Sequence, residues 1–181
     1  YNLARAFHLT GKREEAAESY RKAIKSNPYF EQAFYNLAYL AMELSQFDEA
    51  IWNFNKFLAM QPNHSKAHFG LGNGLMMKGQ LDLALAEYRK SAELDPKFAF
   101  PYLNIANIQM QTKNIPAAIE NFEKALKING FLKRTRSLAT LLVPIEPLLN
   151  LFWAPLERTG DSTEFLPKLH HFGRPAAQSA V

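Results

Sequence analysis

The chain contains no cysteine. Disulfides, thiolate zinc sites and cysteine nucleophiles are therefore excluded. The absence fits any compartment, with the cytoplasm as the default. Strong charge of one sign is missing too. There are 21 basic and 17 acidic side chains, for a formal net charge of +4. It is spread evenly: +2 over residues 1–130 (15 basic, 13 acidic) and +2 over 131–181 (6 basic, 4 acidic). Nucleic acid calls for a concentrated basic face, so it is not an expected partner. Nor is a membrane. The main apolar stretch, Leu138 to Trp153, is interrupted by Pro144, Glu146, Pro147 and Asn150. It is shorter than the roughly 20 residues that cross a bilayer. There is no Gly-rich phosphate loop, nucleophile elbow or paired-carboxylate arrangement, so neither catalysis nor a cofactor is expected. His64 and His68 are four apart, but a zinc site needs three or four ligands and no third is evident.

What the sequence does have is a period. Ala16, Ala50, Ala84 and Ala118 recur every 34 residues. So do Tyr20, Phe54, Tyr88 and Phe122, and so do Leu3, Leu37, Leu71 and Ile105. Pro28, Pro62 and Pro96 form a fourth column, with Gly130 at the next place. Within each period two helical patterns follow one another. Gln32 to Glu43 carries Phe34, Leu37, Ala38 and Ala41 on one face, the i, i+3, i+4, i+7 spacing. A polar break at Ser45-Gln46 precedes Asp48 to Ala59, whose inner face holds Ala50, Ile51, Phe54 and Leu58. Pro62 then stops the helix. The third copy runs from Lys66 to Leu94 with Gly79 at its inner turn. In the fourth, Pro101 and Pro116 fall at helix starts, where the missing N–H costs nothing. Ala4, Ala38, Gly72 and Ala106 are the small residues of the first helix, facing the alanine column of the second.

These columns resemble the tetratricopeptide repeat, whose period is 34 residues. The resemblance covers residues 1–130, about 3.75 repeats: a partial repeat at 1–30, then 31–64, 65–98 and 99–132. It implies an all-α, right-handed superhelical solenoid with the first helix of each pair lining a concave groove. It further implies a non-catalytic scaffold that binds a protein or peptide partner there. Departures from the pattern are Gly130 for proline, Phe57 and Ser91 for alanine, and Gln109 for an apolar residue. Tyr1 is not a methionine and falls inside a repeat, so further sequence is expected upstream. From Phe131 onward the columns vanish. Residues 133–181 read as a capping helix at Ser137 to Val143, a second apolar run at Leu148 to Trp153, and an irregular end from Gly173.

The resemblance assigns candidate residues to the groove. Asn2, Asn36, Gly70 and Asn104 share one column. Asparagine offers donor and acceptor together, and the column looks like the ladder in the superhelical arm of O-linked N-acetylglucosamine transferase. That leaves a rival reading, the substrate-recognition arm of a larger glycosyltransferase-type enzyme, beside the plainer one that asparagine is simply common there. Asn36, Asn73, Asn104 and Asn107 are the candidates for peptide-backbone hydrogen bonds. Tyr35, Tyr39, Met42, Phe69, Met76 and Met110 are candidates for apolar contacts, or else for packing between repeats. Lys66 adds one positive point. Gly70, Gly72 and Gly74 crowd one helix. Gly70 either receives the oversized Phe57 or leaves room for a ligand. The clamp by which relatives hold acidic chaperone tails is not expected, since only Asn36 and Lys66 agree with it.

Overall fold

The computed structural model describes residues 1–128. The expected cap at 137–143 and the apolar run at 148–153 lie outside the described residues. Eight helices follow one another: α1 Asn2–Leu9, α2 Arg13–Ser26, α3 Glu31–Glu43, α4 Phe47–Met60, α5 Ser65–Met77, α6 Leu81–Leu94, α7 Ala99–Gln111 and α8 Ile115–Ile128. Each helix packs on the next, and the described residues contain no strand. The result is an all-α solenoid of helix pairs. Of the next-but-one pairs only α3 with α5 makes more than marginal contact. α3 and α5 therefore lie closer together than any two second helices do, as expected where first helices line the inside of the curve.

The alanine columns explain why the pairs can approach so closely. Ala4, Ala38 and Ala106 on the first helices are fully buried, as are Ala16, Ala50, Ala84 and Ala118 on the second. Methyl-sized side chains let two backbones close in, and the aromatic column then fills the space one turn away. Tyr20, Phe54 and Tyr88 are at most 1% exposed. The first three second helices, α2, α4 and α6, begin with acidic residues, Glu14 and Glu15, Asp48 and Glu49, and Asp82. Their charge complements the positive end of the helix dipole. Between repeats, Asn27 and Asp95 accept hydrogen bonds from the backbone N–H of Tyr29 and Lys97, at 3.1 and 3.0 Å. These side chains close the turn that Pro28 and Pro96 enforce.

Two departures from the repeat pattern find their reason here. Ser91 is fully buried, and its hydroxyl lies 3.1 Å from that of Ser65. Gln109 accepts a hydrogen bond from Asn121 Nδ2 at 3.0 Å. Each polar intruder thus brings its partner. At the far end, Ile115 and Ile119 on α8 are exposed. They hold the places that Phe47 and Ile51, then Leu81 and Leu85, occupy half-buried in the earlier repeats.

The turn within each pair is the same four times. Gly11, Ser45, Gly79 and Lys113 all have φ between 58° and 77°. The next residue donates its N–H five residues back: Lys12 to Phe7, Gln46 to Ala41, Gln80 to Leu75 and Asn114 to Gln109, at 2.8 to 2.9 Å. That bond ties off the last carbonyls of the first helix in a Schellman motif. A left-handed backbone is easy for glycine and costs an L side chain about 1 kcal/mol or more. Ser45→Gly and Lys113→Gly should therefore each stabilise the protein by about 0.5–1 kcal/mol in urea unfolding. Gly79→Ala should lose about 1 kcal/mol, although open space surrounds the added methyl. No change in all three variants would contradict this account of the turn.

Candidate functional site

The inner helices α3, α5 and α7 carry the residues that the sequence assigns to the groove. Asn73 is the best organised of them. Its Oδ1 accepts a hydrogen bond from the Tyr88 hydroxyl at 2.7 Å and another from Asn104 Nδ2 at 3.0 Å. Tyr88 comes from α6 and Asn104 from α7, so the three side chains join two repeats. Burial pushes the Tyr88 phenol far above its ordinary value, which keeps it a donor. Met76 Sδ sits 3.6 Å from the same hydroxyl. Asn107 and Met110 lie half-buried further along α7. Tyr39 donates its hydroxyl to the Lys66 carbonyl at 3.0 Å, which fixes that ring against the next repeat. The Lys66 side chain is exposed.

The asparagine column is more committed than a free ladder would be. Asn36 Nδ2 donates to the Tyr1 hydroxyl at 2.9 Å and lies near the Tyr20 ring. Burial pushes the Tyr20 phenol up to about 12. Asn104 and the Tyr88 hydroxyl both donate to the Asn73 carbonyl oxygen. The column lies next to the aromatic column of the preceding repeat: Asn36 near Tyr20, Gly70 against Phe54, Asn104 near Tyr88. A hydroxyl calls for an amide, and a bare ring calls for nothing. A Cβ on Gly70 would lie 2.7 Å from Phe54 Cε1 and closer still to Cζ. The guest at Gly70 is thus Phe54 and not Phe57, because the helix crossing brings residue 54 to that spot. Ile51 lies against Gly74 in the same way, and Tyr88 against Gly72.

Two other expectations need correction. Met42 and Phe69 are buried at 6% and 5% exposure and belong to the core. Met42 is close enough to Gly74 that its sulfur would lie 3.5 Å from a Cβ there. Phe69 is enclosed by Tyr88, Phe98 and Phe100, with centroids 5.1 to 6.2 Å away. Helical spacing is the same for a core stripe and a groove stripe, so the sequence could not separate them. Tyr35, in contrast, is half-buried and packs its edge on Tyr39 at 4.9 Å.

The sequence reading missed a recess beside the groove. It has a volume of about 300 Å³ and is lined in part by Tyr1, Tyr35, Phe57 and His64. Phe57 packs against Tyr35 at 4.9 Å and against His64 at 5.0 Å. The departure of Phe57 from its alanine column was the available signal. His64 caps α5, its Nδ1 accepting the Ala67 N–H at 3.1 Å. A ring nitrogen that accepts carries no proton, so this cap requires neutral imidazole. Among the described residues no group of three His, Asp or Glu side chains could hold a metal. No described helix is long and apolar enough to cross a membrane.

Residues 35–97 match one family model, and residues 1–30 and 101–131 match another, each described as tetratricopeptide repeat. The chain belongs to the tetratricopeptide repeat family. Arrays of this kind form extended concave binding surfaces and serve as protein-interaction modules. No curated protein matches the chain. Among solved structures it is similar to MamA, at 20% identity and a TM-score of 0.69, over 72% of this chain and 76% of that one. MamA 41-end from Desulfovibrio magneticus RS-1 is similar at 20% identity and 0.68, over 75% of each. These likenesses show the fold. YrrB, described as "a TPR protein with an unusual peptide-binding site", is similar at 25% identity and 0.67, over 72% of this chain and 67% of that one.

Two outcomes are expected at these positions. Gly70→Ala should destabilise the protein by about 1–3 kcal/mol by overpacking, against a helix-propensity gain of about 1 kcal/mol. Adding Phe54→Leu should recover part of the loss in the double variant, and strict additivity would contradict the contact. Burial, with help from the charges of Lys66 and His68, holds the His64 imidazole below its ordinary value of 6.5. The neutral form is favoured on folding, so its contribution is fully present above that value. It is lost as pH falls through the lower, folded pKa. Melting temperature should fall more between pH 7.5 and pH 5 for wild type than for His64→Asn, which caps without titrating. Glu43 falls in a different window. Burial pushes its carboxyl up, but hydrogen bonds from His8 and Arg13 outweigh this and hold it below 4.5.

Proposed function

We propose that this array is a non-catalytic scaffold that holds an extended peptide segment along its inner helices. The observation that carries the reading is the Asn73 amide. Tyr88 and Asn104 fix its carbonyl from two sides. An amide has two N–H donors as well as its oxygen. With the oxygen held inward, the amine is oriented for an acceptor outside the array, such as a peptide carbonyl. Preorganisation of this kind lowers the entropy lost on binding. One repeat further on, Asn107 holds the equivalent place, and Met76 and Met110 lie beside the two amides. Amides at a fixed interval suit a peptide backbone, whose carbonyls also recur at a fixed interval. The flexible, polarisable thioethers accommodate varied apolar side chains. Tyr39 extends the surface into the second repeat and Lys66 borders it.

Asn107→Ala with Met110→Glu tests this without disturbing the Tyr88–Asn73–Asn104 network. Peptides selected from a random display library on the full chain should bind the double variant about tenfold more weakly or worse, as expected for one lost hydrogen bond and one disrupted apolar contact. Circular dichroism establishes that the variant is folded. Equal affinity for both proteins would place the binding surface elsewhere.

A further inference from the structure

The recess beside the groove has a chemistry of its own. Its aromatic wall is Tyr35, Phe57 and His64, mutually packed with centroids 4.9 to 5.1 Å apart. Glu31 is the one acidic side chain in the lining, and the lining has no lysine or arginine. Gln61 Nε2 donates to Glu31 Oε2 at 2.8 Å and holds the carboxylate in place. A carboxylate has about four acceptor sites, so one such bond leaves room for more. His64 is neutral while it caps α5, so it does not oppose a positive guest. Lys66 is exposed and outside the lining. The wall is particular to this joint. Where Phe57 stands here, the other repeats have Ala23, Ser91 and Ala125.

We propose that the recess receives a cationic side chain, arginine or lysine, carried by the peptide that lies along the inner helices. The setting rests on the groove reading; the chemistry of the recess does not. Aromatic faces attract a cation through their quadrupole, and Glu31 supplies a charge-assisted acceptor. An acidic guest would meet Glu31, and an aliphatic one would leave that carboxylate desolvated without a partner. Arginine suits the site well, since its planar guanidinium stacks on rings while its N–H fork meets a carboxylate.

The test is NMR titration of the full chain with four probes: N-acetyl-arginine amide, N-acetyl-lysine amide, N-acetyl-norleucine amide and N-acetyl-glutamate amide. The two cationic probes should perturb Tyr35, Asn36 and His64. Norleucine amide should bind about fivefold more weakly or worse, the loss expected for a missing cation–π and charge-assisted contact. Glu31→Gln should weaken the cationic probes by a similar factor and leave norleucine amide unchanged, with an unaltered circular dichroism spectrum. Equal binding of norleucine, preferential binding of glutamate, or no perturbation by any probe would each overturn the proposal. Its failure is separable from that of the groove reading. Display-selected peptides that bind Glu31→Gln as well as wild type but lose affinity for Asn107→Ala/Met110→Glu would sink the recess and leave the groove.

Discussion

One buried aromatic ring in each of the first three repeats holds the array together. The ring projects from the second helix into the space where its own first helix and the next repeat's first helix meet. Alanines at 16, 50, 84 and 118 bring the paired helices close enough for the ring to seal that space. Whether the ring carries a hydroxyl then decides what must stand opposite. The Tyr88 hydroxyl has an amide partner in Asn73, whereas Phe54 has glycine opposite it. A tyrosine oxygen buried without a partner would cost about 1–3 kcal/mol. An amide facing a bare phenylalanine would have the same deficit. The apparent irregularity of the asparagine column is thus a second regularity, read one repeat out of step.

Most of the fold was legible because a solenoid repeats its constraints. Any one helix boundary is a weak signal, but four copies of it agree, and α3 and α4 lie within a residue of Gln32 to Glu43 and Asp48 to Ala59. The left-handed turn was legible at Gly79 but hidden at Ser45 and Lys113, where the side chain does not announce the backbone. The site was less legible. A stripe of Met and aromatic side chains at helical spacing has the same appearance whether it faces a groove or a neighbouring helix. Met42 and Phe69 proved to face inward, where Gly74 and the rings at 88, 98 and 100 receive them. The internal bonds of Asn36 and Asn104 connect residues 31 and 35 apart, and no local pattern reports them.

The same bonds tie stability to binding. Asn73 is held by groups from α6 and α7, so its orientation depends on how the third and fourth repeats pack. A ligand on this surface would be gripped by side chains already fixed in place, and binding would in turn favour the packed joint. The largest departure from the alanine columns, Phe57, falls at the second joint. His64 caps α5 there, and the recess opens between them. Structural and functional demands meet at these positions, since the ring that fills out the joint also forms the recess wall.

The central claim is that hydroxyl and amide act as one unit across the Tyr88 joint. A double-mutant cycle of Tyr88→Phe and Asn73→Ala, read by urea unfolding, tests it most directly. If the pair is coupled as described, the interaction energy is about 1–2 kcal/mol, and the double variant is less destabilised than the two single losses together. Additive losses, within about 0.3 kcal/mol, would mean that the ring alone holds the joint and that the amide at residue 73 is there for something else.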